Sequence, residues 1–264
     1  MLSIFFKAKP VVDETTREWI FDTFAWCIDQ LDGEFFQHNS KLILPNNTFY
    51  PGSVSSVDEM AEAIFANTIK YSGMTSWPIK LVSANDFKQR PMPQLFFESS
   101  IRGENCQLTN EKSVPAIEIA YHPNQLNQPQ DLIAYLVQIQ ANILLSQNGM
   151  LVSIDKEMLA QTIDLVACFM GFGVIFANTA YQFKGGCGSC NNRNLNRQPA
   201  LPELETVYAL ALFTVIKGGD IKEVKKELKS HLYKQFRQAH KEIVLYLQQT
   251  TNPEHSLLTT NLSN

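Results

Sequence analysis

Ala116-Ile-Glu-Ile-Ala-Tyr121, a polar turn, and then Pro129-Gln-Asp-Leu-Ile-Ala-Tyr-Leu-Val-Gln138-Ile139-Gln-Ala-Asn142-Ile-Leu-Leu145 decide how this chain folds. The first run alternates Ile117, Ile119 and Tyr121 with Glu118 and Ala120, the period of a strand that buries one face. The second run is apolar at helical spacing and opens just after Pro129, which suits a first helical turn because the N–H it lacks would have no intrahelical partner there. Within that helix Gln138 and Asn142 fall one turn apart on one face.

Working outward, the pattern Trp19, Ile20, Phe24, Cys27, Ile28, Leu31 predicts a first helix from Asp13 to a turn at Asp32-Gly33. Lys41 to Leu44 is a short β-prone run ended by Pro45, and a second helix is expected after Ser56, running to about Tyr71. Asp58 and Glu59 in its first turn complement the positive helix end. Further strands are expected at Ile79 to Val82 and Gln94 to Ser99, making a small sheet with Ala116 to Tyr121. The rest reads as helix: Asp131 to Ser146, Asp155 to about Phe183, Pro202 to Ile216, and Ile221 to about Gln249. The expectation is a helix-dominated α+β domain over residues 1–250, followed by a polar, frayed tail over 251–264.

Composition bounds the function. Of 264 residues, 45% are apolar and 18% charged, against about 25% charged in an average domain. Asn and Gln number 37, so neutral amides stand where ions would otherwise be. A net charge of −4 lacks the basic footprint of a nucleic-acid binder and the excess charge of a disordered chain. The start, Met1-Leu-Ser-Ile-Phe-Phe-Lys7, is too short an apolar run for a secretion signal, and Leu165 to Phe176 is too short for a membrane span. A cytoplasmic protein with reduced thiols and no membrane or nucleic-acid partner is expected.

Beyond the strand and helix quoted first, Leu42-Ile-Leu-Pro45-Asn-Asn-Thr-Phe49-Tyr50-Pro51, the helix Ile163-Asp164-Leu-Val-Ala-Cys-Phe-Met-Gly171-Phe-Gly173-Val-Ile-Phe-Ala-Asn178, and Tyr208-Ala-Leu-Ala-Leu-Phe213 complete a pattern. Together, over roughly residues 40 to 215, it resembles a bacterial zincin-like metallopeptidase family. The resemblance implies a zincin-like fold in which a His-Glu-x-x-His helix binds zinc through two imidazoles while the Glu acts as general base. Here the first His position is Gln138, the Glu position Ile139, the second His position Asn142, and the acidic ligand position Ala160. Carboxamides are weak zinc ligands and isoleucine takes no proton. The expectation is therefore a catalytically inactive, pseudo-metallopeptidase protein acting as a binding or regulatory module. Its former cleft between Ala116 to Tyr121 and the Gln138 helix could take an extended peptide by strand addition.

Plainer readings stand beside this one. Gln138 and Asn142 also suit an exposed polar helix face, and Asp164 suits a helix start or a hydrogen-bonded core carboxylate. Gly171 and Gly173 lie inside an apolar helix, which favours close helix packing over a phosphate loop. Cys187 and Cys190 form a Cys-x-x-Cys pair in a Gly- and Asn-rich loop, open to three readings: inert thiols, metal binding as half of a zinc site lacking two further ligands, or thiol redox switching, the last two as a metal- or thiol-dependent enzyme. No cofactor is expected, with zinc at those thiols the alternative. A last alternative is an interaction protein that uses the basic terminal helix, where Lys217 to Glu242 holds eight basic and four acidic residues.

Overall fold

The computed structural model describes residues 9–52, 55–109, 114–147, 154–180 and 197–259. Helices dominate, with one two-stranded sheet, so the chain is α+β. In order they are α1 (Glu14–Gln30), α2 (Gly33–His38), α3 (Val57–Ser72), β1 (Ile79–Ser83), β2 (Ile117–Tyr121), α4 (Pro129–Ser146), α5 (Leu159–Ala167), α6 (Gly173–Thr179), α7 (Glu203–Ile216), α8 (Ile221–Glu227) and α9 (Tyr233–Gln249). Start signals work as the sequence suggests: Asp13 accepts from the Thr16 N–H and Ser56 from the Glu59 N–H, capping α1 and α3.

Helix α7 buries every residue from Thr206 to Ile216, so it is apolar all round and lies at the centre. Helices α6 and α9 pack on it, while α4 packs on α3, α5 and α6. Amides brace this interior. Gln140 of α4 donates to Thr68 Oγ1 and accepts from Ser72 Oγ, tying α3 to α4 through fully paired buried groups. The sheet sits at one side, with β1 and β2 parallel and Ile79 opposite Ile117.

Five expectations are corrected. Gln94 to Ser99 is not a strand, since it makes one isolated bridge, Phe97 with Leu108, and its Leu95 N–H goes to the Gln147 side chain. Lys41 to Leu44 is likewise irregular, spending the Ile43 N–H on the Gly171 carbonyl. That crossing also breaks the long apolar helix. Gly171 has φ of 100°, a region that disfavours side chains, and a Cβ there would lie 2.1 Å from the Lys41 carbonyl oxygen. The helix thus runs from Leu159, not Asp155, through a wide π turn to Thr179, the expected end at Phe183 lying outside the described residues; Gly173 packs closely on Leu210, and Gly171 on the Lys41 carbonyl and Phe213. The expected Ile221 to Gln249 helix is split at Leu228, whose ψ of 137° is extended, so the basic stretch is shared between α8 and α9. The described part of the tail, 251–259, is docked rather than frayed: a 3₁₀ turn, Pro253–Leu258, packs on α1 with His255 and Leu258 buried. His255 Nε2 lies 2.8 Å from Asp22 Oδ1 and Nδ1 lies 3.1 Å from the Tyr246 hydroxyl.

The helical run Leu159–Thr179 is long and apolar enough to cross a membrane by length and composition, but it is mostly buried within the fold.

Candidate functional site

Helix α4 carries Gln138 toward α5, and α5 carries Asp164 back toward it. The Gln138 amide nitrogen donates to Asp164 Oδ1 at 2.6 Å and to the Gln198 carbonyl at 3.2 Å. Both partners only accept, so the nitrogen end of the amide is fixed in place. Asp164 is wholly buried, the sixth residue of α5 rather than its start, and it is a core hydrogen-bonding carboxylate. Its Oδ2 accepts from Arg197 Nη1 at 2.8 Å and from the Ala200 and Leu201 N–H groups at 2.8 and 3.1 Å. Its oxygens are spent on four donors.

Arg197 closes the site. It is 2% exposed, stacks over the Phe176 ring at 4.2 Å, and donates through Nη2 to the Phe176 carbonyl and Thr179 Oγ1. A buried ion pair is stable when its remaining hydrogen-bonding capacity is used, and here it is largely used. The segment 197–201 thereby lies across the α4–α5 junction as a plug. Sequence reading missed Arg197, which follows the glycine-rich loop. The available signal was Asp164 itself, because a carboxylate set in an apolar run requires a buried donor.

The other positions do not converge on this pair. Asn142 is exposed one turn along α4, Ala160 is exposed and carries no donor atom, and Ile139 packs against the core. Cys187 and Cys190 lie outside the described residues. The zinc implied by the resemblance does not fit: an amide nitrogen, an exposed amide, an alanine and an isoleucine supply no donor set for it. Among the described residues no group of three or more His, Cys, Asp or Glu could hold a metal ion. Cys27, Cys106 and Cys168 are buried, and burial pushes all three thiols up, Cys106 to about 11, which makes them poor nucleophiles.

Strand β2 forms the other wall. The Ile117 N–H donates to the Pro78 carbonyl and the Tyr121 carbonyl accepts from the Ala84 N–H, so residues 117, 119 and 121 bond toward β1. Glu118 and Ala120 therefore turn their backbone groups to the opposite edge. There the Ala120 carbonyl accepts the Tyr135 hydroxyl of α4 at 3.0 Å, occupying one position of that edge. The Tyr121 hydroxyl bonds Asp58, joining β2 to the start of α3.

Comparison of the chain with protein-family models, with curated proteins and with solved structures found no match.

Proposed function

We propose that this chain is a non-catalytic binding or regulatory module, related in pattern to zincin-like peptidases but without their chemistry. The observation that carries the reading is the closure of Asp164: its oxygens hold Arg197, Gln138 and two backbone N–H groups, so none is left to orient a metal ligand or activate water. Ile139 at the general-base position packs as a hydrophobe, consistent with the same loss.

The ligand favoured is an extended peptide lying along the outer edge of β2. Backbone pairing there would use the Glu118 N–H and carbonyl and the Ala120 N–H, the groups that β1 does not take. The alternatives gain no comparable support. Lys217 spends its ammonium on the Phe36 and Gln37 carbonyls, and Lys226 pairs with Glu223, so part of the basic stretch is used within the chain.

The test is incubation of the purified chain with a degenerate library of extended peptides, read by mass spectrometry for both retention and cleavage. Retention without cleavage is expected, and Tyr135→Phe, which frees the Ala120 carbonyl, should raise retention about threefold, by the value of roughly one hydrogen bond shared along an edge. Cleavage that falls on Gln138→Ala or Asp164→Asn would overturn the non-catalytic reading. Absence of any retained peptide would overturn the peptide ligand.

A further inference from the structure

On α4, about 12 Å along the axis from Gln138 at 1.5 Å per residue, a cavity of about 260 Å3 opens between the loop 45–52, the middle of α3 and the first turn of α4. Its outer wall is formed by Pro45, Asn46, Asn47, Tyr50 and Pro51 of the loop before α3. No charged side chain lines the cavity; its walls are mostly apolar, with carboxamides at Asn46, Asn47, Asn67 and Gln130.

The hydrogen-bonding capacity left in this cavity can be assigned atom by atom. The Lys229 N–H must donate, so Asn178 turns Oδ1 toward it at 2.9 Å; Asn178 Nδ2 then donates to the Glu227 carbonyl and to Gln130 Oε1. This fixes the amide of Gln130 and leaves its Nε2 as a free donor. Asn67 gives its Nδ2 to the Ala63 carbonyl, which can only accept, and keeps Oδ1 as a free acceptor. Tyr50 lines the cavity, but its hydroxyl has almost no accessible surface and no partner, so it is sealed from the cavity and offers a ligand nothing. Helix α4 has no side chain capping its N-terminus, where Gln130 sits beside Pro129.

We propose that this cavity is a binding site for a small, uncharged molecule carrying an amide or lactam edge on a compact apolar body. The amide carbonyl would accept from Gln130 Nε2, its N–H would donate to Asn67 Oδ1, and the apolar body would lie on Met60, Ile64 and Ile133. The absence of charge in the lining disfavours ions of either sign, whose desolvation nothing there offsets. The volume, just under the roughly 300–1,000 Å3 of drug-sized sites, limits the ligand to fragment size. This site does not depend on the non-catalytic reading of the α4–α5 junction.

The experiment is titration of the full chain with 2-pyrrolidinone, followed through the side-chain amide resonances of Asn46, Asn47, Asn67 and Gln130, with cyclopentanol and acetate as comparison probes. Saturable shifts of Asn67 and Gln130 with 2-pyrrolidinone are expected, with cyclopentanol and acetate each at least fivefold weaker. Asn67→Ala, at a half-buried helical position, removes the Oδ1 acceptor and should weaken 2-pyrrolidinone binding, read at Gln130, about fivefold. Ala63→Leu, which narrows the cavity beside Ile64, should abolish the shifts with the fold confirmed by the remaining spectrum. No saturable shift at these amides, equal binding of acetate or cyclopentanol, or unchanged binding in Asn67→Ala would each overturn the proposal.

Discussion

Arg197→Ala isolates the feature on which the closed site depends. Asp164 and Arg197 are 0% and 2% exposed, so removing the guanidinium leaves a buried carboxylate with Gln138 and two backbone N–H groups but no counter-charge. It also strips a donor from the Phe176 carbonyl and from Thr179 Oγ1. Loss of one member of a buried pair typically costs about 3–5 kcal/mol, a large share of the roughly 5–15 kcal/mol that stabilises a domain. Asp164→Leu strands the guanidinium instead and should cost a similar amount. The double variant Asp164→Leu/Arg197→Met removes both desolvation penalties together and should recover most of the loss, because replacing a buried pair by apolar groups is often close to neutral. Guanidinium chloride unfolding of the four proteins, followed by far-ultraviolet circular dichroism, gives the cycle, with coupling of about 2 kcal/mol or more expected. Single variants within about 0.5 kcal/mol of the parent, or losses that simply add in the double variant, would refute the claim that this pair locks the site.

Three further outcomes follow from the fold. Gly171→Ala places a Cβ against the Lys41 carbonyl at a φ that disfavours side chains, and should lower stability by at least about 2 kcal/mol in the same unfolding assay; a neutral result would contradict the described crossing. Leu258→Ala empties a wholly buried position under the C-terminal turn, and a loss of about 2–4 kcal/mol is expected, whereas a frayed tail would give almost none. Hydrogen bonds from Thr16, from Ser55 and from the Lys88 N–H hold the carboxyls of Asp13, Glu59 and Glu118 below their ordinary values. With folded values depressed below unfolded ones, their stabilisation is present above the unfolded carboxyl range and is lost as pH falls through the folded values. Unfolding midpoints should drop as pH falls below about 5, and Glu59→Gln should shrink that drop; an unchanged drop would exclude this carboxylate from the acid response.

Local signals carried the elements whose stability is local. The caps Asp13 and Ser56, the proline at the start of α4 and the alternation of 117–121 all read correctly because each follows from chemistry within a few residues. Failures came where distant groups decide. Gln94 to Ser99 has strand composition, yet the amide of Gln147, far along the chain, captures its backbone. The apolar run through Gly171 reads as one helix until the 41–43 segment is known to cross it, and Leu228 reads as one position of a continuous stripe until the Lys229 N–H is seen bonded to Asn178.

The candidate site shows the same division. Gln138 and Asp164 were singled out and do meet, whereas Asn142 and Ala160, equally marked by pattern, face solvent. Arg197 was invisible because nothing near it in sequence calls for a buried cation. The amide excess, by contrast, gains a physical meaning: Gln138, Gln140, Gln147 and Asn178 each join two segments through paired buried or half-buried groups, doing in neutral form what ion pairs would do at greater desolvation cost.

The central claim is that the α4–α5 junction is a closed structural ion pair and not a metal centre. Its most direct measurement is zinc content by elemental mass spectrometry after saturation with zinc and exhaustive dialysis, comparing the parent chain with Gln138→Ala and Asp164→Asn. The expected result is the same zinc content in all three proteins, whatever its level, because neither side chain has a donor to offer. One equivalent of zinc per chain that disappears in either variant would contradict it.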